Sequence, residues 1–287
     1  MPGPDFAPLL AHRAVRLLAA AAGSTPCHLV GGALRDQALG LGVHDLDAVS
    51  AGRGIAIAQD LARALPARLV PLGGKEFAAY RLVASGLTLD LWDREETTLE
   101  EDLARRDLTI NAIALDLATG AVTDPFGGLE DLERKILRAT TPESIAGDPL
   151  RVLRLARLLV QLPGFTADGG TVELARASSP DLPEIAAERI RDELARTVGD
   201  EKAALGVEML GRVGVYPGLW IDRLGEVAPI GEVVGQLEVF KSVWVGGEGR
   251  AGLPVSASAH FGRWALLFAG LSKLGGAPTE ALERFRV

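Results

Sequence analysis

The spacing of apolar and polar residues changes along the chain, and the change predicts two kinds of structure. Through the first half, short apolar runs are separated by glycine, proline or serine turns, which favours strands and short helices. Strands are predicted at 28–30, from Asp45, and at 67–71, 76–83, 87–92 and 112–117. Helices are predicted over 9–22, from about Ala33, and over 52–65 and 129–135. From Asp148 onward the apolar residues recur at helical spacing.

This change of period predicts an α+β protein: a small mixed β-sheet with helices, followed by an all-α C-terminal part. We expect three segments, 1–140, 141–200 and 201–287. The last of them shows only short helical signals broken by glycines and prolines.

Composition narrows the class of protein. The chain has 287 residues, 48% of them hydrophobic and 24% charged, which supports a hydrophobic core in two or more domains. The formal net charge of −8 argues against a generally basic nucleic-acid coat. Any RNA contact therefore requires a local basic surface. The single cysteine, Cys27, excludes an internal disulfide, and we expect it to pack as a small apolar residue.

The N-terminal apolar segment is interpreted as a packing helix for the first strand. Arg13 and Arg16 lie inside its apolar run, whereas a signal peptide carries its charges before the run. No stretch reaches the roughly 18 uncharged apolar residues that a membrane span needs. We therefore expect a cytoplasmic protein without a membrane partner, of undetermined oligomeric state.

Two glycines and two aspartates suggest a metal-dependent phosphate site. Gly31 and Gly32 follow a short apolar strand, lack a Cβ, and allow the backbone to approach a bulky anion at the start of a helix. Asp45 and Asp47 are one residue apart on a strand and so project to one face. Neighbouring carboxylates repel unless a cation lies between them, and oxygen ligands favour Mg²⁺. The alternative is a tight turn beside two solvated aspartates; Rossmann and Walker patterns fit less well.

Further polar residues are candidates for the same site. Asp90 alternates with apolar neighbours on a predicted strand, where it is either a third carboxylate of the metal site or a solvated residue. Arg106 offers a planar fork to a phosphate or ribose oxygen. Asp107 and Asn111 supply short groups that can hydrogen-bond a sugar hydroxyl. A charged helix face before an apolar strand is the alternative interpretation.

The helix predicted from Asp148 is amphipathic. Its apolar side carries Val152, Leu155, Leu159 and Leu162, and beside them runs a stripe of three arginines, Arg151, Arg154 and Arg157. An apolar face held by protein therefore presents arginines to a cleft. A solvated arginine stripe is the alternative.

These motifs resemble a known family. Gly-Gly-x-x-Arg-Asp with Asp-x-Asp at 31–47 and Arg-Arg-Asp-x-Thr-x-Asn-Ala at 105–112 are similar to the signatures of polymerase-beta-like nucleotidyltransferases. The closest likeness is to the bacterial-type (class II) tRNA nucleotidyltransferases and their poly(A) polymerase relatives. Asp148-x-x-Arg151 resembles the family's templating motif, although Gly147 replaces its first glutamate. A fifth motif is matched from Glu188, and the likeness covers about the first seventy per cent of the chain.

The resemblance implies a role for each segment and residue. The segment 1–140 would be the catalytic head, 141–200 a helical neck with the base-recognition helix, and 201–287 a tRNA-binding body. Asp45 and Asp47 would hold Mg²⁺, with Asp90 as a further catalytic carboxylate. The nucleotide-binding residues would be Gly31, Gly32, Arg35, Arg106, Asp107, Asn111, Asp148, Arg151, Arg154 and Arg157. Gly32 and Arg35 would seat the triphosphate, helped by Arg154 and Arg157, while Asp148 and Arg151 would choose the base. Glu188 and Arg189 are interpreted as structural.

The activity implied is transfer of a nucleoside monophosphate from CTP, with ATP as the other candidate, to the 3′ end of tRNA. The connection at 91–104 is short. A short connection at this place resembles the members of this family that add only CC. Full CCA addition, A addition and poly(A) addition remain alternatives. From another class, the alternative is a non-catalytic RNA-binding protein on the same scaffold.

Overall fold

The structure is a computed structural model, which describes residues 3–72, 79–84, 86–94, 97–198 and 202–215. The chain divides into two compact units, Met1–Ser144 and Ile145–Val287. Most of the predicted segment 201–287 lies outside the described residues, as do the first residues of the strand predicted at 76–83.

The first unit combines helices with short strands. Its elements are α1 (Ala7–Ala11), α2 (Arg13–Ala22), β1 (Cys27–Val30), α3 (Gly32–Ala38), β2 (Asp45–Ser50), α4 (Gly54–Ala64), β3 (Arg68–Leu72), β4 (Ala79–Ala84), β5 (Leu87–Asp93), α5 (Leu99–Ala104), β6 (Ala114–Asp116), β7 (Val122–Thr123), α6 (Gly128–Arg134) and β8 (Ile136–Leu137). A 3₁₀ turn covers Thr109–Asn111, and α7 (Pro142–Ala146) begins in this unit and ends two residues beyond Ser144.

Strands β1 to β7 form the predicted mixed sheet, in the order β3-β4-β5-β2-β1-β6-β7. Only the central pair, β2 with β5, is parallel; the other pairs are antiparallel. Asp47 lies beside Asp90 in the parallel pair, and Arg81 lies beside Asp90 in the next pair. Because paired residues share a face and the period of a strand is two, Asp45, Asp47, Asp90 and Arg81 lie on one face. We call this the aspartate face.

Each face of the sheet buries alternate residues. On the side away from the aspartates, Leu46, Ala48, Leu89 and Leu91 are fully or almost fully buried, and α4 packs near β3, β4 and β5. On the aspartate face, a second buried cluster covers the end of the sheet beyond the acids. It contains Val30, Val49, Leu103, Ala112 and Ala114, with Leu99 and Phe126 packed against it. This cluster anchors α5 and the turn after it beside the acids.

The sequence predicted element types better than element ends. The N-terminal helix is broken into α1 and α2 at His12, which has an extended backbone (φ −61°, ψ 132°). The strand predicted over 112–117 is only β6, because the chain up to Asn111 turns as a 3₁₀ helix and Ala112 leaves it with φ −101° and ψ 37°. Cys27 is buried in β1 as expected, and burial raises the pKa of its thiol to about 12.

The segment after β7 supports the second motif. Asp124 accepts hydrogen bonds from the backbone N–H groups of Gly128 and Leu129 (2.7 and 2.8 Å) and so caps α6. Gly128 lies directly against the backbone of Thr109: a Cβ there would be 2.2 Å from the Thr109 carbonyl oxygen. Thr109 Oγ1 in turn donates to Asp131 on α6 (2.6 Å). The turn at 124–128 and α6 therefore hold Thr109, and with it the second motif, in place.

Over its described residues, 145–198 and 202–215, the second unit is helical apart from one two-residue strand. Its elements are α8 (Leu150–Gln161), β9 (Thr166–Ala167), α9 (Gly169–Ser178), a 3₁₀ helix (Ser179–Glu184), α10 (Ala187–Val198) and α11 (Ala203–Arg212). α8 packs against α10 and α11, and the residues of its predicted apolar side are buried. Within the described ranges, no helix of either unit is long and apolar enough to cross a membrane.

Candidate functional site

Gly31 is the point where three parts of the first unit meet. It follows β1 with φ +77° and ψ −140°, a conformation that residues with a Cβ rarely adopt. A Cβ at Gly31 would lie 3.0 Å from Nη1 of Arg106 and 3.4 Å from Oδ2 of Asp47. The glycine motif, the aspartate motif and the second motif therefore converge on one small space. A cation and an anion placed there would be within reach of Asp47 and Arg106 respectively.

The aspartate face combines three carboxylates with one arginine. Asp45 is exposed, while Asp47 and Asp90 are half-buried. Arg81 donates two hydrogen bonds to Asp90, from Nε to Oδ1 (2.8 Å) and from Nη2 to Oδ2 (2.7 Å). The hydrogen bonds to Asp90 raise the pKa of Arg81, and the negative charges of Asp90, Asp45 and Asp47 add to that effect. Arg81 therefore belongs electrostatically to the acid group.

Sequence reasoning missed Arg81, although a signal for it was present. β4 ends at Ala84 and β5 begins at Leu87, and such a short separation between two strands favours a hairpin in which Ala84 pairs with Leu87, as observed. Counting back from that pair places Arg81 opposite Asp90.

The donor chemistry of the aspartate face fits a hard divalent cation. Asp45 and Asp47 supply carboxylate oxygens from one face of β2, the ligands that Mg²⁺ prefers. Across the described ranges, no group of three or more His, Cys, Asp or Glu side chains is arranged to hold a metal ion. Asp90 is instead paired with Arg81, so its assignment as a third metal-site carboxylate stays a prediction.

The second motif forms a compact, mostly buried turn. Arg106 is held by Asp102, one helical turn earlier, with distances of 3.3 and 3.0 Å from Nε and Nη2 to the carboxylate. Asp107 and Asn111 are each only 5% exposed. Asn111 Nδ2 donates to Asp107 Oδ1 (2.9 Å), which also accepts from the N–H of Leu108 (2.8 Å). The two groups assigned to a sugar hydroxyl are therefore fixed relative to each other.

Arg35 lies against the second motif. Its Nη1 donates to Oδ1 of Asn111 (2.8 Å), and its Nε donates to Asp36 (2.7 Å). Its guanidinium also lies over Gly32, where a Cβ would be 3.3 Å from Nη2. The sequence assigned Arg35 to the triphosphate, but the structure brings it together with the residues assigned to the sugar.

In the second unit, Asp148 is paired at the start of α8. Its Oδ1 accepts from the N–H of Leu150 (3.2 Å), and its Oδ2 accepts from Nη2 of Arg189 on α10 (3.0 Å). The fifth motif therefore has a direct contact with the residue assigned to base recognition, which the sequence did not indicate. The contact needs two helices separated by the intervening chain to pack side by side, and only the folded structure shows that.

The three arginines of α8 are not equivalent. Arg151 and Arg154 are half-buried. Arg157 is 12% exposed and donates from Nε to Glu193 on α10 (2.6 Å) and from Nη1 to Gln161 (2.6 Å). Burial lowers the pKa of Arg157, and the charge of Glu193 opposes that shift. The guanidinium of Arg157 is thus hydrogen-bonded to residues of the second unit.

Comparisons with known proteins agree on one family. Residues 75–138 match the model of the poly A polymerase head domain. A CCA-adding enzyme of Coxiella burnetii is 39% identical over 219 residues, covering 70% of this chain and 57% of that protein. A multifunctional CCA protein of Aromatoleum aromaticum is 41% identical over 186 residues, covering 59% and 44% respectively. The chain thus spans about half the length of the curated relatives it matches.

Solved structures of similar proteins give the same result. The Thermotoga maritima CCA-adding enzyme complexed with tRNA matches with a TM-score of 0.78 and 25% identity, covering 98% of this chain and 68% of that one. A CCA-adding enzyme in complex with CTP matches with a TM-score of 0.76 and 26% identity, covering 94% and 65%. The complex of such an enzyme with ATP gives 0.78 and 26%, covering 98% and 66%.

The mixed sheet, its acid pair and the glycine turn define a nucleotidyltransferase head followed by a helical part. With the matching motifs and relatives, the assignment becomes more specific. The chain belongs to the tRNA nucleotidyltransferase and poly(A) polymerase family.

Proposed function

We propose that this protein transfers CMP from CTP to the 3′ end of tRNA and releases pyrophosphate. The observation that carries the proposal is the convergence of Asp47 and Arg106 on Gly31. An acid pair beside an arginine, over a backbone that lacks a Cβ, suits a triphosphate bound with a divalent cation. A protein that only binds RNA would have no use for an acid pair beside an anionic ligand.

Different residues would bind the metal ion and the triphosphate. Asp45 and Asp47 would hold Mg²⁺, which when bound neutralises the triphosphate and favours ionisation of the attacking RNA hydroxyl. Gly31 and Gly32 let the phosphates approach the backbone closely. Arg106 donates to a phosphate or ribose oxygen through its planar fork. The displacement joins the RNA 3′ oxygen to the α-phosphorus while the bond from that phosphorus to the leaving pyrophosphate breaks.

Base choice is assigned to the start of α8. Asp148 would accept from the exocyclic amine of the base, and Arg151 would donate to a ring nitrogen or carbonyl oxygen. Cytosine and adenine carry an amine at the edge concerned, whereas uracil does not. The contact from Arg189 supports this assignment, because it fixes the carboxylate of Asp148.

Replacing Arg151 with alanine is expected to weaken base choice more than triphosphate affinity. Loss of a paired donor at a base edge typically costs about 1–3 kcal/mol of discrimination. The measurement is the ratio of kcat/KM for CTP to kcat/KM for UTP, with the exposed Arg63→Ala variant as the control. An unchanged ratio in Arg151→Ala would remove the base-reading role from this residue.

The product expected from the short connection after β5 is a CC end. α5 begins at Leu99, soon after β5 ends at Asp93. Thr97 Oγ1 donates to the Arg94 carbonyl (2.9 Å), and Thr98 and Glu101 form a reciprocal cap at the start of α5. To bind first CTP and then ATP, the enzyme needs a mobile segment that moves the base-recognition groups, since packed helices do not turn unaided. A connection of this length offers little such movement.

Full CCA addition is the second candidate. It is favoured by the relatives, which are described as CCA-adding enzymes, and by the similar structures with CTP and with ATP. The test uses purified full chain, Mg²⁺ and tRNA lacking its 3′ end, with each NTP alone and with CTP plus ATP.

The number of nucleotides added to the tRNA distinguishes these candidates. Two added residues in CTP plus ATP, and no third, support CC addition. A third residue that depends on ATP supports full CCA addition, and a long adenylate tail supports poly(A) addition. If no NTP extends the RNA while the RNA still binds, the protein is a non-catalytic RNA-binding member of the family.

A further inference from the structure

The side chain of Arg35 is bound on all three of its nitrogens. Nε donates to Asp36 (2.7 Å), Nη2 lies 2.7 Å from the same carboxylate, and Nη1 donates to Oδ1 of Asn111 (2.8 Å). The side chain is 14% exposed. A triphosphate oxygen would therefore meet a guanidinium whose charge is already compensated by a carboxylate and which already contacts a carboxamide. This geometry makes Arg35 a poor candidate for the triphosphate contact.

The contact to Asn111 has a consequence for the second motif. A carboxamide has an acceptor end and a donor end, and Arg35 occupies the acceptor end. The donor end is thereby directed to Asp107 Oδ1, which also accepts from the Leu108 N–H. Arg35 thus fixes the orientation of Asn111, and Asn111 helps to fix the carboxylate of Asp107.

The backbone of Asp107 is held from another direction. Its carbonyl oxygen accepts from the N–H of Thr140 (3.2 Å) and from Oγ of Ser144 (3.0 Å). The main chain of this turn therefore does not depend on Arg35. What Arg35 controls is the orientation of two side chains whose polar groups suit a sugar hydroxyl.

We propose that Arg35 is a positioning residue for the nucleotide sugar, which sets the preference for ribonucleotides over 2′-deoxyribonucleotides by orienting Asn111 and Asp107. This inference rests on the proposed function, together with the assignment of these two residues to a sugar hydroxyl that the sequence suggests. A site built to hydrogen-bond a hydroxyl rejects the analogue that lacks it, because its own buried polar groups are then left without a partner. The discrimination depends on the orientation of those groups, and Arg35 supplies it.

The test compares CTP with 2′-deoxy-CTP in the wild type and in Arg35→Lys, Asn111→Ala and the double variant. Lysine keeps a point charge that suits a phosphate but cannot bridge Asp36 and Asn111 as the guanidinium does. We expect Arg35→Lys to lower the ratio of kcat/KM for CTP to that for 2′-deoxy-CTP about tenfold, the size of one lost charge-assisted hydrogen bond. We expect the double variant to discriminate no less than Asn111→Ala alone, since Arg35 acts through Asn111. Arg63→Lys is the exposed control.

Two results would overturn the proposal. If KM rises equally for both nucleotides and the ratio is unchanged, Arg35 contacts the triphosphate. If the effects of Arg35→Lys and Asn111→Ala on the ratio simply add, Arg35 does not act through Asn111. Should Arg35→Lys fail to fold, Asp36→Asn removes the other anchor of Arg35, and a lowered ratio is again required. Calorimetric affinities for CTP and 2′-deoxy-CTP without tRNA keep the test valid if the wild type adds no nucleotide.

Discussion

Replacing Asp45 or Asp47 with alanine is expected to reduce CMP addition by at least about 1,000-fold, because each carboxylate stabilises charge that develops only in the transition state. The two side chains share one face of β2, so neither can substitute for the other without moving the strand. The fold should survive, since neighbouring carboxylates repel and neither is fully buried. tRNA binding should also survive, because RNA contacts come mainly from basic residues.

Single-turnover extension of tRNA in saturating Mg²⁺ measures this effect, with thermal unfolding and tRNA binding measured in parallel. Asp60→Ala is the matched control: Asp60 is also an aspartate that is not buried, but it lies on α4 away from the aspartate face, where it pairs with Arg63. Turnover at the wild-type rate in Asp45→Ala or Asp47→Ala would rule out their assignment as the metal ligands.

Gly128→Ala is expected to be the most destabilising glycine-to-alanine substitution among the described residues of the first unit. The new Cβ would lie 2.2 Å from the Thr109 carbonyl oxygen and 2.9 Å from a side-chain carbon of Ile113. Backbone atoms cannot move aside like the end of a flexible side chain. We therefore expect a loss of about 3 kcal/mol or more in the free energy of unfolding, the upper end for overpacking.

Gly127→Ala provides the matched control. Gly127 has φ +73°, and a Cβ there meets no atom within 4 Å, so only backbone strain of about 1–2 kcal/mol is expected. Denaturant unfolding followed by circular dichroism compares the two variants with the wild type. Equal losses in the two variants would show that α6 can move away from Thr109 and that the close contact is not essential.

The parts of the site that follow from local rules could be predicted from the sequence. Asp45 and Asp47 share a face because the side-chain period of a strand is two, and the structure places them so on β2. The helix predicted over 129–135 is observed as α6 (Gly128–Arg134), and Asp124 caps it. The family was recognised from motifs that keep their order along the chain, and the comparisons confirm it.

The parts that depend on packing between distant segments could not be predicted. Whether Arg35 turns toward a phosphate or toward Asn111 depends on where the 3₁₀ turn lies against α3, which no local pattern encodes. Arg157 was expected to face a cleft, but its ion pair requires Glu193, thirty-six residues later, to lie opposite. A helical wheel gives the side of α8 on which an arginine lies, not the neighbour that it meets.

The parallel pairing of β2 with β5 has a consequence for how the protein folds. Asp47 and Asp90 become neighbours only after α4, β3 and β4 have been passed, and Gly31 meets Arg106 across a still longer stretch of chain. Closing such loops costs conformational entropy before any contact repays it, which delays long-range strand pairing. On a growing chain, the complete acid site therefore cannot form until residues beyond Arg106 are available. Nucleotide binding would accordingly show that the whole head has folded. Folding of a single hairpin would not be enough to produce it.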